Sequence, residues 1–115
     1  MQAMNPKVVV QYQTRDGKIP FREWLLHLRD IEARARIRTR IGRLRLGHPG
    51  DCRSVGQGVF ELRCQFGPGY RVYFGQQGNS LVVLLCGGDK GTQVSDMTLA
   101  HSYLEDYRRR SHETR

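Results

Sequence analysis

The chain has 115 residues and a formal net charge of +8, from 19 Lys and Arg against 11 Asp and Glu. That length allows one compact domain, residues 1–115, and excludes a multidomain enzyme. A chain of this size with 38% hydrophobic residues can bury a core without disulfide or metal staples. The longest apolar run, Leu81–Cys86, is far below the roughly 18–20 residues that span a bilayer. The segment Met1–Lys7 has no apolar signal region. A soluble, cytoplasmic protein with no membrane partner is expected.

Cys52, Cys64 and Cys86 are odd in number and include no C-x-x-C pair, so they read as reduced structural thiols. His27, His48, His101 and His112 add no metal-ligand spacing to them. No metal and no cofactor are expected. The basic residues are 16 Arg and 3 Lys. Arginine offers phosphate a planar fork of donors, which points to a nucleic-acid partner. The alternative is a biased codon usage and ordinary solubility.

In chain order, Lys7–Gln13 is rich in β-branched residues and ends at the turn Arg15-Asp16-Gly17, which predicts a strand. Pro20 then suits the first turn of a helix, and Phe21, Trp24, Leu25 and Leu28 fall on one face of it. Asp30 is the expected N-cap of a second helix, Ile31–Leu46, which Gly47 and Pro49 end. Ala33, Ile37, Ile41 and Leu44 form its apolar stripe. Arg36, Arg40 and Arg43 flank that stripe on one side, and Arg34, Arg38 and Arg45 on the other. These rows are either a grip for RNA or an acidic partner, or a solvated face whose stems cover apolar surface.

After residue 51 the period falls from 3.6 to 2. Asp51–Gln57 reads as a weak strand and Val59–Phe66 as an alternating one. Gly67-Pro68-Gly69 is a tight turn, Tyr70–Gly75 a strand, and Ser80–Cys86 a central strand covered on both faces. A final helix begins between Thr92 and Ser95 and runs to about Arg109, leaving a basic tail over about 108–115 expected to fray. The order predicts an α+β fold: an antiparallel sheet of about four to five strands on an N-terminal helical hairpin, its other face at least partly open, with a C-terminal helix.

A three-residue loop at 67–69 would set Phe66 opposite Tyr70, Gln65 opposite Arg71, Arg63 opposite Tyr73 and Glu61 opposite Gly75. That gathers Glu61, Arg63, Gln65, Arg71 and Tyr73 on one face and the apolar residues on the other. Two arginines there suit a phosphodiester, whose developing charge they would stabilise, and Tyr73 would stack a base or hold a phosphate. The alternative is a polar face with a Glu61–Arg63 or Glu61–Arg71 ion pair. Lys90, in the turn after the central strand, is a further candidate.

The strings Glu61-Leu62-Arg63, Phe66-Gly67-Pro68-Gly69-Tyr70-Arg71-Val72-Tyr73-Phe74 and Leu84-Leu85-Cys86-Gly87-Gly88-Asp89-Lys90-Gly91-Thr92-Gln93, with Asp96 and Ala100, resemble the RelE/ParE superfamily of bacterial toxins. The resemblance is nearest to its HigB-like branch of addiction-module killer proteins and runs from about Val8 to Tyr107. It implies a RelE-like fold and the toxin of a type II toxin–antitoxin pair. It implies a ribosome-dependent, metal-independent mRNA endoribonuclease that arrests translation. The implied partners are mRNA and the ribosome, a cognate antitoxin of helix-turn-helix type encoded alongside, and operator DNA only through the antitoxin complex. Arg71 and Arg63 match the family's strand arginines and Lys90 its basic residue after the last strand; with Glu61 they are the catalytic candidates. Arg53, Gln65, Tyr73 and Gln93, with Arg36, Arg40 and Arg43, are the RNA-binding candidates. Glu61 stands where the family has a lysine, and no tyrosine clearly matches its C-terminal one, for which Tyr103 and Tyr107 are candidates by proximity. The general base is therefore open between Glu61 and His101. Relatives on this fold that inhibit DNA gyrase, and non-catalytic modules that bind antitoxin and operator, are the alternatives.

Overall fold

The computed structural model describes residues 6–113. Strand β1 (Val8–Gln11) leads into helices α1 (Pro20–His27) and α2 (Ile31–Arg45). Strands β2 (Cys52–Ser54), β3 (Val59–Cys64), β4 (Tyr70–Gln77) and β5 (Leu81–Gly88) follow. A short 3₁₀ turn, Lys90–Thr92, then opens into helix α3 (Gln93–Glu113). Pro20 occupies the first turn of α1. The Asp30 carboxylate accepts the Ala33 amide at 3.1 Å, capping α2.

The five strands form one sheet in the order β1-β5-β4-β3-β2. It is mixed rather than antiparallel throughout, because β1 runs parallel to β5, pairing Val8 with Leu81 through Gln11 with Leu84. All the intervening elements serve as the crossover a parallel pair requires. One face packs on the α1–α2 hairpin, with Ile37, Ile41 and Leu44 against Leu62, Val72, Phe74, Val82 and Leu84.

The other face was expected to be at least partly open, and it is covered. Ala100 and Leu104 of α3 bury it, against Tyr12, Val59, Tyr73, Val83 and Leu85. Gly75 makes this close approach possible, since a Cβ there would lie 2.4 Å from Leu104 Cδ1. A bulge in the β4–β5 pairing, where Tyr73 faces Cys86 but Phe74 faces Leu84, sends both Leu85 and Cys86 to the α3 side. Helix α3 also runs four residues past Arg109, to Glu113. Arg108, placed in the expected frayed tail, donates to Gln77 at 3.0 Å and to the Gln57 carbonyl at 3.1 Å. Thr114 and Arg115 lie outside the described residues.

Strand β3 meets β4 two residues out of the expected register. Glu61 faces Tyr73, Arg63 faces Arg71 and Cys64 faces Tyr70, so the connection is the five residues 65–69. The face assignments survive because a shift of two preserves side-chain parity.

Candidate functional site at the end of the α3-covered sheet face

Two rows of side chains cross the sheet where α3 begins. The first is Arg53, Glu61 and Tyr73, on β2, β3 and β4. The second is Arg63 and Arg71, followed on β5 by Gly88.

Glu61 is the centre of the first row and is 0% exposed. Its Oε1 accepts Arg53 Nε at 2.8 Å. Its Oε2 accepts the Tyr73 hydroxyl at 2.9 Å and Gln93 Nε2 at 2.8 Å. Burial pushes the Glu61 carboxyl up, but these three donors and the Arg53 charge outweigh it and hold the group below its ordinary value. Burial and the adjacent carboxylate push the Tyr73 phenol far up, so it remains a donor.

Arg71 lies beside this carboxylate without bonding to it. Its Nε is 3.9 Å from Glu61 Oε2, and the side chain is 11% exposed. That Nε is buried and has no hydrogen-bond partner. Nη1 makes only a 3.5 Å contact with the Tyr70 carbonyl. Gly69, at φ +80°, brings the hairpin loop against this group: a Cβ there would lie 3.4 Å from Lys90 Cβ and 3.7 Å from Arg71 Nη1. Arg71 and exposed Lys90 thus meet at one turn. The 3₁₀ turn that carries Lys90 is fixed ahead of α3, where the Asp89 carboxylate accepts the Gly91 amide at 2.8 Å and Asp89 N donates to Thr92 Oγ1 at 3.2 Å.

Arg63 is held from outside the row. Its Nε and Nη2 reach Asp51 Oδ1 at 3.0 and 2.8 Å, and Gln65 donates to Asp51 Oδ2 at 2.5 Å. The Gln65 and Arg63 contacts hold the Asp51 carboxyl below its ordinary value.

The structure therefore brings Arg53, Glu61, Arg63, Arg71, Lys90, Tyr73 and Gln93 to one end of one sheet face. Within that group, Tyr73 is 0% exposed and offers no ring face to a nucleobase. Gln93 and Glu61 are committed to each other. The helix arginines stand apart. Arg40 donates to the carbonyls of Arg63 at 2.6 Å, Pro49 at 3.0 Å and Asp51 at 3.3 Å, so its guanidinium ties α2 to the start of β2. Arg36 lies 4.4 Å over the Phe66 ring and, with Thr39, Arg40 and Arg43, lines a shallow groove of about 280 Å³. His101 bonds the carbonyls of Val55 and Gly56 at 3.0 and 3.2 Å, holding the β2–β3 turn. Tyr103 stacks on Tyr12 at 4.8 Å, and Tyr107 packs in the α3-side core.

Asp51 and Gly69 are the participants that sequence reasoning did not single out. Asp51 precedes a strand too weak to place it beside a residue twelve positions on. Gly69 was visible only as a turn residue.

Residues 23–104 match the phage-derived Gp49-like family (DUF891). The match spans more than half of the chain, and the protein belongs to this family. A relative from Haemophilus influenzae, described as an uncharacterized protein, is 50% identical over 82 residues, covering 71% of this chain and 83% of the relative. No solved structure matches. Membership of the Gp49-like family is consistent with a toxin of a toxin–antitoxin system, which implies an antitoxin partner.

Proposed function

We propose that this protein is a type II toxin of the RelE/ParE superfamily, nearest its HigB-like branch, and a ribosome-dependent mRNA endoribonuclease. The observation that carries the reading is the meeting of Arg71, which stands 3.9 Å from Glu61 without a hydrogen bond to it, and exposed Lys90 on either side of Gly69. A guanidinium not committed to the carboxylate beside it, at a turn shared with a lysine, suits an anionic oxygen.

In the proposed reaction, the ribose 2′-oxygen attacks the adjacent phosphorus and the P–O5′ bond breaks. The products are a 2′,3′-cyclic phosphate and a 5′-hydroxyl. Arg71 and Arg63 stabilise the charge gathering on the non-bridging oxygens. Lys90 donates a proton to the departing 5′-oxygen, and the 2′-hydroxyl proton passes to water. Glu61 is not assigned that proton, because it is fully buried and already accepts three hydrogen bonds. Arg53 and Gln65 at the exposed rim, and Arg36 and Arg43 across the hairpin loop, contact the RNA backbone. The cognate antitoxin, of helix-turn-helix type, holds the toxin inactive, and operator DNA is reached only through that complex. The protein acts in the cytoplasm.

The test is a cell-free translation reaction with one defined mRNA, cut sites mapped by primer extension, with and without ribosomes. Ribosome-dependent cuts that Arg71→Ala reduces by about 100-fold or more are expected. Intact mRNA, or a supercoiling defect in purified gyrase, would overturn the ribonuclease reading.

A further inference from the structure

Glu61 is an unusual residue for a ribonuclease surface. It is a fully buried carboxylate inside a cluster of cations, yet its geometry keeps it away from any substrate. Its contacts come from three other elements: Arg53 on β2, Tyr73 and Arg71 on β4, and Gln93 in the first turn of α3. Arg53 and Arg71 approach it from opposite neighbouring strands. Arg53 forms a 2.8 Å ion pair and is 48% exposed; Arg71 stays at 3.9 Å and is 11% exposed.

This asymmetry has a physical consequence. The three close donors satisfy the carboxylate, so Arg71 feels its charge without surrendering a donor to it. A buried cation needs a counter-charge nearby, but a direct bidentate pair would occupy the donors that phosphate requires. Glu61 supplies the first and avoids the second. Arg63 lies directly opposite Arg71 on β3, so without Glu61 the two guanidiniums would repel. Gln93 ties the same carboxylate to the helix start that follows the Lys90-bearing turn.

We infer that Glu61 is a positioning residue that holds Arg71 in place without taking a donor from it and locks it to the Lys90-bearing turn before α3. The inference rests on the proposed ribonuclease activity for its kinetic consequence, but not for its structural one. It assigns Glu61 no proton-transfer role.

The experiment uses the purified full chain, wild type and Glu61→Gln, labelled with ¹⁵N. The Nε–H resonance of Arg71 is identified by its absence in Arg71→Lys. In wild type it should be distinct and slow to exchange with solvent. In Glu61→Gln it should move toward the position of exposed arginines and exchange about tenfold faster or more. Inorganic phosphate should shift this resonance in wild type and lose about tenfold in apparent affinity in the variant.

Single-turnover cleavage on ribosomes is measured in parallel from pH 5 to 9. Glu61→Gln should lower the rate constant about tenfold or more while leaving the shape of the pH profile unchanged. In the Arg71→Ala background it should cost nothing further, because it acts through Arg71. Loss of the acidic limb of the profile in Glu61→Gln would make Glu61 the proton acceptor and overturn the inference. An unchanged Arg71 resonance with only a lower melting temperature would overturn it as a merely structural residue. If Glu61→Gln does not fold, Gln93→Ala, which removes one tether at the helix start, should shift the Arg71 resonance in the same direction. An unaltered resonance there would overturn the inference too. Absence of cutting by wild type would defeat the ribonuclease reading alone, since the Arg71 resonance still decides the role of Glu61.

Discussion

Arg63 and Arg71 stand directly opposite each other across the β3–β4 pair, and each has a carboxylate beside it: Asp51 at 2.8 Å for Arg63, and Glu61, which also pairs with Arg53, at 3.9 Å for Arg71. Like charges facing across a strand pair are destabilising, so each counter-ion offsets its neighbour's repulsion. The Asp51 pair is partly solvated, with Arg63 36% and Asp51 31% exposed. Asp51→Asn should therefore cost only about 0.5–1 kcal/mol. That loss should shrink in 1 M salt (about a 3 Å Debye length), as the opposed arginines are screened. Urea unfolding at low and high salt checks both statements.

Arg40 and Arg43 lie one turn apart on α2 but differ in what they do. Both line the open groove beside Phe66, but Arg40 also binds three backbone carbonyls. Arg40→Ala leaves those carbonyls without their donor and should cost about 2–3 kcal/mol. Arg43→Ala should stay within about 0.5 kcal/mol of wild type; under the proposed ribonuclease function it should weaken RNA binding and its salt dependence. Chemical denaturation and filter binding at two salt concentrations separate the two residues.

Gly87 is the floor on which α1 rests. A Cβ there would lie 2.2 Å from Trp24 Cε3 and 2.4 Å from two other ring atoms. A rigid indole cannot yield as a flexible chain end does, so Gly87→Ala should cost about 1–3 kcal/mol. Trp24 is the single tryptophan of the chain, so its emission reports the displacement directly. A red-shifted, solvent-quenched spectrum in the folded variant is the expected sign.

Three carboxylates bonded to residues distant in the chain contribute to acid stability. Glu61 is held low against its own burial by Arg53, Tyr73 and Gln93; Asp51 is held low by Gln65 and Arg63; Asp106 is held low by Tyr12 and Arg110. Each binds a proton less readily in the fold than in the unfolded chain. Their contribution is fully present above the ordinary carboxylate range, roughly pH 4–4.5, and is lost as pH falls through the lower folded values. Asp96 has the opposite sign, since burial raises its pKa and its contribution is lost as pH rises. The urea midpoint should be flat from pH 7 to about 5 and fall below about pH 4. Asp96→Asn should gain on wild type as pH rises from about 3 to 7.

Much of the fold was legible because its signals are local. The Asp30 cap, Pro20 at the start of α1 and the stripe Ala33, Ile37, Ile41 and Leu44 depend on neighbours within a turn or two, and the structure has them where the sequence puts them. The site was legible as a face rather than as a set of bonds. Alternation in 59–66 placed Glu61 and Arg63 together, and alternation in 70–75 placed Arg71 with Tyr73. Which of these residues meet solvent was not legible. The cover that α3 lays over Tyr73, and the three donors that converge on Glu61, come from chain segments up to 32 residues away.

Which residues share a helix stripe or a strand face follows from the order of residues alone, because periods of 3.6 and 2 are imposed by backbone geometry within each segment. The composition adds an excess of arginine that must find anions or solvent. Tertiary structure alone decided the two-residue register of β3 on β4, the parallel placement of β1 and the burial of the second sheet face. It also decided the division of the arginines into anchors such as Arg40 and the under-bonded Arg71. These outcomes depend on which distant surfaces exclude water together, and a linear pattern carries no record of that competition.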